Sequence, residues 1–114
     1  MSLGKVSTVI GDDRKFALSQ SLKRYTLMDL GFIQTRNGNF QLERPLDPTN
    51  PYHSNVNFKM TVAKDLQSFQ MAVVAVGGLR NINIFKNAQD HPFVEQYQFI
   101  ISNLIDRQVL TILN

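Results

Sequence analysis

The chain has 114 residues, a formal net charge of +3, 43% hydrophobic and 18% charged residues, and no cysteine. That size and balance predict one globular domain over residues 1–114 and exclude a disordered polymer. The missing thiol excludes disulfides, thiolate nucleophiles, iron–sulfur clusters and cysteine-ligated zinc, and the interleaved acids and bases argue against a dedicated polyanion binder.

No apolar run is long enough to span a bilayer, and the amino terminus lacks the apolar core of a secretory signal. The expected location is therefore the cytoplasm, with no membrane partner.

Residues 5–10 are rich in β-branched side chains and predict a first strand. Residues 11–14 read as a turn, and 16–18 as a short extended piece. Ser19 suits a helix N-cap and Gly31 a C′ position, so a helix of about three turns is expected between them. Asn37-Gly38 predicts a two-residue type I′ hairpin within 31–44. That register pairs position 34 with 41, placing Ile33, Thr35, Phe40 and Leu42 on a core face. It leaves Phe32, Gln34, Arg36, Gln41 and Glu43 on the other face.

Residues 45–55 hold three prolines and break the ladder. Residues 56–63 alternate cleanly, with Val56, Phe58, Met60 and Val62 on one side. The strand at 69–76 is apolar on both faces, which predicts a covered position. Gly77-Gly78 predicts a tight turn that pairs Val73 with Ile82 and Met71 with Ile84. The following strand, 80–86, then sends Ile82 and Ile84 inward and Asn81, Asn83 and Phe85 outward. Asp90-His91-Pro92 opens a long final helix. Its expected apolar stripe runs from Phe93 through Tyr97, Ile100, Ile101, Leu104 and Ile105 to Ile112, with Leu110 off the stripe.

The pattern predicts an α+β fold: an antiparallel sheet of five or six strands, in the order β-α-β-β-β-β-β-α, with two helices packed on one face.

No catalytic constellation, metal-ligand spacing or phosphate loop is present in the sequence, so no catalytic residue, metal or cofactor is predicted. Two surfaces remain. Arg44 should point to the core side at the end of its strand, where it needs an acid, a carbonyl or an anionic ligand. With Asp47, Tyr52 and His53 beside it, this end of the sheet is the expected site for a small anionic metabolite. The structural alternative pairs Arg44 with a neighbouring acid or loop carbonyl. The outer sheet face, with Phe32, Gln34, Arg36, Lys59, Val74, Val76, Leu79 and Phe85, is the expected contact surface for a protein partner or a second copy. Stacking of Phe32 and Phe85 beside Arg36 and Lys59 would suit nucleic acid, the class that the modest net charge favours least.

At Lys23-Arg24-Tyr25-Thr26-Leu27, Gly31-Phe32, Gly38-Asn39-Phe40-Gln41 and Glu43-Arg44-Pro45-Leu46-Asp47-Pro48 the chain resembles an uncharacterised family of short proteins from lactobacilli and their relatives. The likeness continues at Gly78-Leu79 and Ile84-Phe85-Lys86. That family is catalogued as "putative amino-acid metabolism". The resemblance implies a fold like that of the TATA-binding protein, with a curved antiparallel sheet and helices on its convex side. It implies a cytoplasmic bacterial protein with a non-enzymatic binding or accessory role in amino-acid metabolism, near cysteine desulfurase and transfer-RNA thiolation. It brings no catalytic residue.

Overall fold

The computed structural model describes residues 3–47, 56–75, 80–86 and 91–113. Tyr52, His53, Val76 and Leu79, together with most of the proline-rich segment and the Gly77-Gly78 turn, lie outside the described residues. The elements run β1 (Phe16–Leu18), α1 (Arg24–Asp29), β2 (Ile33–Gln34), β3 (Phe40–Pro45), β4 (Val56–Val62), β5 (Phe69–Ala75), α2 (His91–Asp106) and β6 (Leu110–Ile112). The fold is α+β, with a four-stranded antiparallel sheet in the order β2-β3-β4-β5 and a two-stranded sheet pairing β1 with β6.

The alternation in β4 places Val56, Phe58, Met60 and Val62 on one buried face. Its neighbours in register add Phe40 and Leu42 from β3 and Phe69, Met71 and Val73 from β5. Both helices cover this face. Tyr97 of α2 packs its ring 6.1 Å from that of Phe58, and Leu27 and Leu30 of the α1 region join the same core cluster.

Several sequence expectations shift, each for a local reason. Residues 5–10 form no strand: Gly4 bonds to Phe69 at the edge of β5, while Ser7 exchanges both backbone bonds with Phe16 of β1. The segment crosses from one sheet to the other, and its bridge at Gly4 covers the Phe69 end of the outer β5 edge. The first helix starts at Arg24 rather than near Ser19. Ser19 is still bound to the ladder through its N–H to the Val109 carbonyl, and its hydroxyl accepts from the Ser21 N–H in a local turn.

The hairpin closes with three loop residues instead of two. Gly38 N–H bonds to the Thr35 carbonyl, Thr35 N–H to the Asn39 carbonyl, and Gly38 carries a φ of +94°. This is a type I turn with a glycine bulge, and it pairs Ile33 with Gln41 and Gln34 with Phe40. A slip of one residue exchanges the faces of β2. Ile33 therefore stands outside, 65% exposed, and Phe32 is buried at 2%.

The Val73–Ile82 pairing is present, since Ile82 N–H bonds to the Val73 carbonyl. Residues 80–86 nonetheless make only one bridge, Asn81 with Val74. The Asn83 side chain accepts the Phe85 N–H and turns the chain, so alternation fails there. Ile84 is buried as expected, but Phe85 packs edge-on against Tyr97 at 5.7 Å instead of facing outward.

The last helix stops at Asp106. Gln108, at φ +61°, caps it: its N–H bonds to the Ile105 carbonyl, and the Val109 N–H to that of Leu104. Residues beyond the cap return as β6, so Leu110 is buried and Ile112 is 42% exposed, the reverse of the helical stripe.

Candidate functional site

Three chain segments meet at the end of β3. Helix α1 closes with Gly31 at φ +99°, the Gly31 N–H bonded to the Met28 carbonyl and the Phe32 N–H to that of Leu27. The Leu30 carbonyl at this terminus carries part of the negative end of the helix. Arg44 is cross-strand from Phe58, on the helix side of the sheet. Its Nη2 donates to the Leu30 carbonyl at 2.6 Å. The structural alternative for this arginine, a carbonyl partner, is thus realised. Among the described residues this one bond leaves most of the guanidinium donors without a partner, and no carboxylate pairs with it.

Beside Arg44 lies a pocket of about 190 Å³. Leu30, Leu42 and Pro45 form one wall, and Ile100 and Leu104 of α2 the other. Gln96, Phe99 and Asn103, on one face of α2, complete the lining, and Phe99 is 69% exposed. Among the described residues Arg44 is the one charged side chain in this lining. The site can hold a small anion by its head and an aliphatic group by its body. Asp47 is partly buried, makes contacts of its own and does not line the pocket.

The outer sheet face keeps only part of its expected set. Lys59 and Val74 line a depression of about 250 Å³ with Gln41, Thr61, Gln70 and Leu3. Arg36 lines an adjoining hollow at the hairpin tip with Asn37 and Asn39. Phe32 is in the core, Phe85 is against Tyr97, and Gln34 shares the face of Phe40. The slipped hairpin and the turn at Asn83 move all three, so the aromatic pair that base stacking would need is not on that face.

A second polar cluster was hidden in the sequence. Asp12 accepts the Arg14 Nη2 at 2.8 Å and the Tyr97 hydroxyl at 2.7 Å, and Arg14 also donates to the Gln98 side chain at 2.6 Å. The Asp12 side chain is 5% exposed. Burial alone would push its carboxyl up, but the bonds from Arg14 and Tyr97 hold it below the usual carboxylate range. Burial, then the bond to Asp12, pushes the Tyr97 hydroxyl up, so it stays protonated. The cluster pins the amino-terminal turn to α2. Its signal was the tyrosine in a buried stripe, whose hydroxyl must find a partner.

Among the described residues no group of three His, Asp or Glu side chains could hold a metal ion, and no helix is long and apolar enough to cross a membrane.

The model of the DUF1831 family, described as "Putative amino acid metabolism", matches residues 1–111. The chain belongs to the DUF1831 family. A crystal structure of a DUF1831 family protein from Lactobacillus plantarum is similar to it at 44% identity, with a TM-score of 0.89 and 98% of each chain covered. No curated protein matches the chain. For DUF1831, the family description gives a metabolic area and leaves the chemistry of the site to the residues at Arg44.

Proposed function

We propose that this DUF1831 member is a small-molecule-binding protein of amino-acid metabolism, which holds a carboxylate-bearing metabolite at Arg44. The observation that carries the reading is the anchored guanidinium: one N–H is spent on the Leu30 carbonyl, and the group lines a half-open, mostly apolar pocket without an acid partner among the described residues. A planar guanidinium fixed in this way is suited to paired bonds with a carboxylate. Among the described residues the other polar lining groups are the amides of Gln96 and Asn103, which orient a ligand and do not exchange protons near neutral pH. Binding is therefore favoured over acid–base catalysis. The pocket is smaller than the ~300–1,000 Å³ of drug-sized sites, which suits a compact metabolite.

This reading takes the protein as cytoplasmic and puts its ligand on the helix side of the sheet. The outer face has less support as a contact surface, because Phe32, Gln34 and Phe85 do not contribute to it.

Thermal unfolding with a panel of small carboxylates tests the proposal, with cysteine and methionine included for the implied tie to sulfur metabolism. A ligand present at one hundred times its Kd should add about 2.7 kcal/mol of stability, and Arg44→Gln should abolish the gain. If no carboxylate in the panel raises the midpoint, the reading is wrong.

A further inference from the structure

We infer that the ligand of the Arg44 pocket is an aliphatic carboxylate that bears no ammonium group, a 2-oxo acid rather than the zwitterionic amino acid of the same side chain. The inference rests on the carboxylate reading above and narrows it. Its basis is the charge inventory of the lining, which among the described residues holds one cation and no anion. A carboxylate gripped by Arg44 would carry an α-ammonium close to the same guanidinium, where like charges repel. Among the described residues nothing in the lining would neutralise it.

The acids next to Arg44 and Leu30 in the chain have partners elsewhere. Glu43 accepts from the Asn57 side chain on the opposite sheet face, and Asp29 pairs with Arg107 at 4.0 Å. Asp47 has an interaction of its own and is not part of the lining. The neutral amides of Gln96 and Asn103 suit an uncharged oxygen at the 2-position. They sit seven residues apart, two turns along one helix face, with Phe99 and Ile100 between them. Leu30, Leu42 and Leu104 offer an aliphatic wall for a branched chain. An ammonium would also have to leave water for this wall without a compensating partner.

The experiment is calorimetric titration of the full chain with matched pairs: 4-methyl-2-oxopentanoate against leucine, and 3-methyl-2-oxobutanoate against valine. The expected result is a Kd at least about tenfold lower for each 2-oxo acid. Replacing Gln96, on the helix surface at the pocket, by Q96E should reverse the preference by supplying the missing anion. Circular dichroism and a retained melting midpoint establish that this variant is folded. Equal or tighter binding of leucine and valine by the unmodified chain overturns the inference while leaving the carboxylate reading standing. So does binding of other carboxylates with no response to either pair. Silence of the whole carboxylate panel overturns both.

Discussion

The guanidinium of Arg44 and the main-chain carbonyl of Leu30 are joined by a 2.6 Å hydrogen bond that ties the end of β3 to the carboxyl terminus of α1. The bond places a cation where the helix leaves partial negative charge, and it holds that cation at the rim of a pocket. One contact thus serves packing and the candidate site together.

Arg44→Gln removes this charged donor from a solvent-exposed position, so the loss of stability should be modest, about 1 kcal/mol. Urea unfolding of both proteins measures it. A loss of ligand response far larger than this stability change separates a binding role from a purely structural one.

Gly31→Ala meets two obstacles. The position has a φ of +99°, and an added Cβ would lie 3.3 Å from Arg44 Nη2. The variant should lose roughly 1–2 kcal/mol and weaken ligand binding, because the arginine must give way. An unchanged midpoint and an unchanged Kd would contradict the geometry described for the end of α1.

The Asp12 cluster predicts a defined acid sensitivity. The carboxyl is held below its unfolded value of 3.8, so its contribution is complete above that pH. It is lost as the pH falls from there through the depressed folded value, because the unfolded chain binds the proton first. Asp12→Asn should cost about 2 kcal/mol at neutral pH, and its deficit should shrink in strongly acidic solution. Unfolding free energies followed from pH 7 down past 3.8 decide this, and a deficit that stays constant argues against the charged pair.

Gln108 occupies the left-handed region at φ +61° as the C′ residue of α2. A side chain there is strained relative to glycine. Gln108→Gly should therefore stabilise the protein by roughly 0.5–1 kcal/mol, seen as a higher melting midpoint. A lower midpoint would mean that the glutamine makes contacts worth more than the strain.

Leu104→Asp places a carboxylate at a site 2% exposed, between α2 and the sheet. The expected cost exceeds about 4 kcal/mol, enough to abolish a cooperative melt. A variant that melts near the parent would show that α2 is not docked as described.

The sequence by itself determined the class of fold, the alternating β4, the buried inner face of β5 and the start of α2, because each follows from a local period or a terminal residue. It also put Arg44 on the helix side of the sheet, since alternation along one strand suffices for that. Tertiary structure alone decided the hairpin slip at Gly38, the two-sheet path of residues 5–10 and the return of Leu110 and Ile112 as β6. In each case hydrogen bonds to residues distant in the chain, or the choice between two turns open to the same Asn-Gly pair, outweighed local preference. The pocket has the same origin: Arg44 came from strand alternation, but Leu30, Gln96 and Asn103 meet it only because α1 and α2 dock on one face. The Asp12–Tyr97 bond joins residues eighty-five positions apart, a distance over which no sequence periodicity carries information.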